Sequence, residues 1–145
     1  MAKDSRKSDD AASVIWLPEP EEHDYPAAER YLALLTDAIN AALIVQSMRN
    51  APVTHQLAKD ILRASGLPLL TPQNAHVAAD LAKIATGKKL SPVLLVRGNM
   101  NAGVAAQIAD GYHRVCASYL TDENTPIPVK LADPGTQVPA RPGAR

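Results

Sequence analysis

The most constraining feature of the sequence is an unbroken apolar run at residues 93–96, directly after a proline at position 92. A strand with one solvent-facing side alternates apolar and polar residues, and this run contains no polar residue. It is also too short for an ordinary helix. The sequence therefore predicts a buried strand that is covered on both faces.

The residues from 54 to 133 alternate short strand patterns with short helical patterns. Gly66 and Gly87 mark helix ends, and Asn74 is a typical helix cap. Residues 54–58 fit a strand and also fit the start of a helix, because periodicity alone does not separate the two. The remaining segments are predicted as helices at 59–64, 74–87 and 112–120, and strands at 106–109 and 126–131, the last at a sheet edge.

The residues from 13 to 53 have a different pattern. Residues 13–17 predict a short strand, and residues 26–50 predict one long amphipathic helix with Asp24 as a cap. The apolar positions of this helix are Tyr31, Leu34, Leu35, Ala38, Ile39, Ala42 and Val45. We expect it to be an accessory packing element. Residues 1–12 and 134–145 are expected to be disordered tails.

Composition excludes several classes of protein. The chain has 15 Lys and Arg against 15 Asp and Glu, so bulk positive charge does not hold a nucleic acid. It has no Phe and 1 Trp, which disfavours stacking platforms for single strands. Its 1 cysteine, Cys116, excludes an intramolecular disulfide and a multi-cysteine metal site. No apolar run is long enough for a membrane span and no targeting segment is visible, so the predicted location is the cytoplasm.

The densest polar cluster is Asp110-Gly111-Tyr112-His113-Arg114, at a predicted strand-to-helix junction. A helix start offers unpaired backbone N–H groups and a positive dipole end, which attract anions. Arg114 is suited to grip phosphate oxygens and His113 to donate to them, while Gly111 allows close approach of the backbone. The cluster also has a purely structural interpretation, in which Asp110 caps the helix and pairs with Arg114.

Residues 54–133 resemble the ParB/sulfiredoxin superfamily. Six segments match the superfamily in the same order along the chain. They are Lys59-Asp60-Ile61-Leu62-Arg63, Leu67-Pro68-Leu69-Leu70, residues 74–85, Ser91-Pro92-Val93-Leu94-Leu95-Val96, Gly111-Tyr112-His113-Arg114 and Ile127-Pro128-Val129-Lys130-Leu131. A second passage, Gly87-Lys88-Lys89-Leu90-Ser91-Pro92-Val93-Leu94, is similar to ParB proteins. The resemblance implies an α+β fold with a small mixed β-sheet flanked by helices, and it favours the strand at 54–58.

The resemblance also implies a ligand, because this superfamily binds ATP in sulfiredoxins and CTP in ParB proteins at the Gly-x-His-Arg helix start. It assigns Gly111, His113 and Arg114 to the nucleotide phosphates, and it places residues aligned with His76, Ala79 and Lys83 of the preceding helix at the pocket. Helical spacing puts His76, Asp80 and Lys83 on one face, which fits a pocket wall and also fits a solvated polar face. The Tyr112 ring is a candidate to stack on a base or substrate, and a lone tyrosine at this place is equally typical of ordinary packing. Asp110 would hold Mg²⁺ or act as a base beside His113, as in phosphoryl transfer or nucleotide hydrolysis.

Two departures from the superfamily limit the activity. Tyr112 stands where a sulfiredoxin has its catalytic cysteine, so sulfinic acid reduction is not expected. The more basic ParB signature is also missing.

One alternative function is that of a DNA-associated module of the partition, regulatory or nuclease kind, whose basic face would comprise Lys83, Lys88, Lys89, Arg97 and Arg114. Another is a non-catalytic partner protein, in which the helical segment from Tyr31 to Met48 forms a homodimer or holds another chain.

The run Glu21-Glu22-His23-Asp24 contains metal-ligand residue types. The four residues are consecutive and lie in a predicted loop, without the helical or hairpin spacing of a tight site. We therefore expect no metal site there.

Overall fold

The computed structural model describes residues 13–135, which form a small α+β fold. Both predicted tails lie outside the described residues, apart from positions 134 and 135. The helices are α1 (Asp24–Leu32), α2 (Ala38–Asn50), α3 (Ala58–Ser65), α4 (Ala75–Ala85) and α5 (Tyr112–Thr121). The strands are β1 (Ile15–Trp16), β2 (Val53–Leu57), β3 (Lys89–Leu90), β4 (Val93–Val96), β5 (Gln107–Asp110) and β6 (Pro126–Ala132).

The main sheet has four strands in the order β2-β6-β4-β5. The β4–β6 pair is parallel and the other two pairs are antiparallel, so the sheet is mixed, as predicted. The short strands β1 and β3 pair in parallel beside it, with Trp16 opposite Leu90.

The residues of strand β4 contact two separate core clusters, one on each face of the sheet. Its alternate residues point to opposite sides. Val93 and Leu95 join a core cluster with α3, α4 and α5, whereas Leu94 and Val96 join a second cluster with α1 and α2. The expectation drawn from the apolar run is confirmed, and the N-terminal helices supply the cover for one whole face.

The long helix predicted for residues 26–50 is wrong, because the structure has two helices there. The Asp37 carboxylate accepts a hydrogen bond from the backbone N–H of Asn40 at 2.7 Å and so starts α2 afresh. The break turns part of the predicted apolar stripe outward: Leu34 is 82 % exposed and Ile39 is 76 % exposed. The buried stripe instead comprises Tyr25, Ala28, Leu32, Ala41, Ile44, Val45 and Met48.

The edge position predicted for the last strand is also wrong, since β6 lies between β2 and β4. Its prolines had suggested an edge, because proline cannot donate to a strand ladder. Pro126 and Pro128 pair only with β2, and β4 joins the ladder from Val129 onward. The proline half of β6 therefore has a neighbour on one side alone.

The structure confirms Asn74 and Gly66 as helix-end residues but does not confirm Asp24 as a helix cap. The Asn74 side chain accepts hydrogen bonds from the N–H groups of His76 and Val77, and Gly66 ends α3 in the left-handed conformation. Residues 53–57 are a strand, which resolves the earlier ambiguity. Asp24 is the exception: it opens α1, but its side chain does not cap the helix. That carboxylate has a different role, described below.

Candidate functional site

The predicted strand-to-helix junction is formed by β5, Gly111 and α5. Gly111 has φ +115°, a left-handed value that favours glycine, and it allows the chain to turn directly from strand into helix. The N–H of Val115 donates to the Gly111 carbonyl, and no side chain caps the helix. Because the first backbone N–H groups of a helix have no partner within it, those of residues 112–114 are available at this end.

A cavity of about 280 Å³ lies in front of this junction. Helix α4 forms one wall, because helical spacing places one face of it toward α5. The lining residues are His76, Ala79, Asp80, Lys83, Asp110, Gly111, His113 and Arg114. The structure thus brings together six of the seven site residues predicted from the sequence, together with Ala79 and Asp80 from the same helix.

Tyr112 is the predicted residue that does not line the cavity. Its hydroxyl donates to the Pro68 carbonyl at 2.6 Å, and its ring packs against the core cluster under α3, α4 and α5. This side chain fastens the loop between α3 and α4 to α5. It does not point into the cavity as a stacking platform would.

Arg114 lines the cavity, but its guanidinium is bound mainly to the protein itself. Nε donates to the Ser91 carbonyl at 2.8 Å, and Nη2 donates to the Pro92 carbonyl and to Asp110 Oδ2, both at 3.1 Å. Asp24 Oδ2 lies 3.7 Å from Nη2, and the Arg114 side chain is only 17 % exposed. The free phosphate clamp expected from the sequence is therefore not what the structure shows.

Asp24 is the member of this network that the sequence did not reveal. It is 3 % exposed, and its carboxylate accepts a short hydrogen bond from the Ser91 hydroxyl. The same hydroxyl accepts from the N–H of Glu21 at 3.0 Å. Asp24, Ser91, Asp110 and Arg114 form a polar cluster, which we call the Arg114 cluster. Asp24 and Ser91 are buried, whereas Asp110 and Arg114 are partly buried and line the cavity.

Burial raises the pKa of both carboxyl groups that line the cavity, Asp80 and Asp110. It raises the pKa of Asp110, against the lowering effect of Arg114, and the nearby charge of Asp24 raises it further. Burial also raises the pKa of Asp80, although Lys83 opposes this. Both acids therefore hold a proton at higher pH than ordinary aspartates do.

Two imidazoles face each other at the cavity. The ring centroids of His76 and His113 are 4.7 Å apart, with an interplanar angle of 40°. Burial lowers the pKa of His113, and the neighbouring His76 lowers it further. Lys83 extends beside them, with its Nζ 3.9 Å from Asp80 Oδ1.

Within residues 13–135, a convergent metal-ligand set occurs at Glu21, His23 and Asp24. One ligand atom from each lies within 4.8 Å of the others, so three of the four residues of that run converge in space. His23 Nε2 lies 3.3 Å from Asp24 Oδ1 and 3.7 Å from Glu21 Oε1. Asp110 is not part of that set.

The basic residues required for a DNA-binding face are not all available. Arg97 Nε is bound to Asp133 Oδ1 at 2.7 Å, and Arg114 is held in its cluster. Lys88 and Lys89 are exposed beyond the end of α4. The near-zero net charge and these internal ion pairs both weigh against the alternative that the protein is a DNA-associated module.

Cys116 is fully buried one turn into α5, as the sequence indicated. Burial raises the pKa of its thiol, which keeps the sulfur in the poorly nucleophilic thiol form.

In the part of the chain that the structure describes, no helix combines the length and the apolar character that crossing a bilayer requires.

A scan against protein-family models finds no match for this chain, and neither do searches of the curated proteins and of the solved structures.

Proposed function

We propose that the domain binds a phosphate-bearing small molecule, with nucleotides as the first class to test, in the cavity at the start of α5. The observation that carries the proposal is the convergence of His76, Lys83 and His113 on the N-terminal end of that helix. Backbone N–H groups, the helix dipole and the Lys83 ammonium attract phosphate oxygens, and the two imidazoles can donate hydrogen bonds to them. Gly111 lets the ligand approach the backbone there.

The size of the cavity limits how much of a nucleotide it encloses. Its volume of about 280 Å³ is close to the lower end of the roughly 300–1,000 Å³ typical of small-molecule pockets. We therefore expect it to enclose the phosphates and to leave the base outside. This fits the position of Tyr112, whose ring is turned away toward the core.

Binding is the function that this geometry supports better than catalysis. Asp110 was the candidate base or Mg²⁺ ligand, but its Oδ2 accepts from Arg114 Nη2 at 3.1 Å. Phosphoryl transfer or nucleotide hydrolysis would need that carboxylate to be released, or its other oxygen to act. His113 faces the cavity and is placed to donate to a bound phosphate.

Thermal shift against ATP, ADP, CTP and GTP, each with and without Mg²⁺, tests the proposal. We expect at least one nucleotide to raise the melting temperature of the wild-type protein. Lys83→Gln should weaken that nucleotide's affinity about tenfold, because it removes a charge at the cavity. Lys88→Gln, just beyond the same helix, should leave the affinity within about twofold. Equal binding by the two variants, or no shift with any nucleotide, contradicts the proposal.

The exposed apolar corner between α1 and α2 favours a second candidate, a homodimer. Leu34, Leu35, Ile39 and Leu43 are all exposed there, and α2 carries no charged residue before Arg49. An uncharged apolar face meets its own copy without like-charge repulsion. Light scattering should then show a dimer that Leu43→Glu converts to a monomer. A monomeric wild-type protein rules the dimer out.

A further inference from the structure

The charges around the cavity do not by themselves suit an anion. Asp80 and Asp110 line it, and Asp24 lies directly behind, so three carboxylates face the two fixed cations Lys83 and Arg114. With both imidazoles neutral, the formal charge of this group is negative. A phosphate dianion that entered it would meet net repulsion, apart from the helix end.

We infer that the cavity takes a terminal phosphate dianion together with a proton, which is added to the facing imidazoles of His76 and His113. This deepens the proposed function and rests on it. The two rings lie 4.7 Å apart on facing helices, beside Lys83 and the start of α5. The added proton removes the net negative charge of the three carboxylates and two fixed cations, so that a dianion beside the helix end no longer meets net repulsion.

The neighbours of the two rings explain why the proton arrives with the ligand. His113 faces His76 and Asp80 on α4, Arg114 on its own helix, and a wall that includes Asp110. Burial and the second imidazole keep the pKa of His113 below its usual value. A bound dianion reverses this balance, because opposite charge favours the protonated ring.

Protons suit this cavity better than a metal ion as the source of compensating charge. One oxygen of Asp110 is held by Arg114, and Asp80 pairs with Lys83 at 3.9 Å. A monoanionic phosphodiester gains less from the added proton than a terminal phosphate does, so the site is expected to prefer chain-end phosphates.

Calorimetric titration with ADP in EDTA tests this inference. Buffers of different ionisation enthalpy give the number of protons taken up, and titrations are run at about pH 7 and about pH 8. We expect wild-type affinity to fall roughly five- to tenfold over that range, because each linked proton contributes up to tenfold per pH unit. The monoanionic diester cyclic AMP should bind at least about tenfold more weakly than ADP at the lower pH.

The double variant His76→Gln/His113→Gln keeps hydrogen-bond donors but cannot take up the proton. Its affinity should be weaker than wild type at about pH 7, nearly equal at about pH 8, and change less than about twofold between them. The phosphate itself titrates near pH 6, but its contribution is the same in both proteins and cancels in the comparison. His55→Gln, on the strand at the opposite edge of the sheet, is the matched control and should behave as wild type.

The outcomes separate the inference from the proposed function. Binding of ADP with the same affinity at both pH values, or binding that requires Mg²⁺, overturns the inference and leaves the proposed function standing. Proton uptake that persists in the double variant also overturns it, because the proton then goes to Asp80 or Asp110. Absence of binding under every condition overturns both. Circular dichroism melts of each variant verify that it is folded.

Discussion

Replacing Arg114 with alanine should lower the free energy of unfolding by about 3–5 kcal/mol near neutral pH, the cost of removing one partner from a buried charge network. The loss leaves Asp24 and Asp110 facing each other without their cation, and leaves the Ser91 and Pro92 carbonyls without a donor. Urea denaturation followed by circular dichroism measures it.

The pH dependence of this loss identifies its cause. Without Arg114, the two carboxylates can relieve their repulsion by binding a proton, so the deficit should be smaller at about pH 5 than at about pH 7. Arg63→Ala is the control, since Arg63 is 84 % exposed and pairs with Asp60 in its helix. It should cost less than about 0.5 kcal/mol. An Arg114→Ala protein within about 1 kcal/mol of wild type contradicts the buried network.

Replacing Gly111 with alanine should cost about 2–4 kcal/mol of stability. The residue has φ +115°, which an L side chain rarely adopts, so strain arises from the backbone alone. An added Cβ would also lie 2.9 Å from Val93 Cγ2 and 3.0 Å from Arg114 Nη2. Both neighbours are fixed, the first in the core and the second in the Arg114 cluster, so neither moves freely.

Gly66→Ala separates the two causes of that cost. Gly66 also has a positive φ, +67°, but an added Cβ there has no heavy atom within 4 Å. It should cost only about 1–2 kcal/mol, from the backbone alone. Equal costs at the two glycines, measured by the same denaturation, contradict the close packing at the start of α5.

Local signals in the sequence were enough to place most elements of the fold. The apolar run at 93–96, the Asn74 cap and Gly66 each act over a few residues, and the structure confirms all three. The long helix failed because an apolar repeat continued across Asp37, which starts a second helix instead. Its stripe of Leu34, Leu35 and Ile39 looked like core and is exposed.

The site was predictable only in part, for a related reason. Residues near each other in the chain, from Asp110 to Arg114, signal a helix start by their own chemistry. Asp24 lies 67 positions before its partner Ser91, and no spacing rule connects them. The structure shows that the internal pairing of Arg114 with Asp110, one of the two interpretations of the motif, is real. It also shows a cavity in front of that pair.

Chemical-shift mapping of the ¹⁵N-labelled protein with ADP tests the central claim most directly, because it reports where a ligand lies. The account predicts saturable shifts that are largest at the backbone N–H groups of residues 112–114 and at the α4 face bearing His76 and Lys83. The amides of β2, at the far edge of the sheet, should not move. Shifts concentrated on the exposed corner of Leu34, Leu35 and Ile39, or no shifts at millimolar ADP, would contradict it.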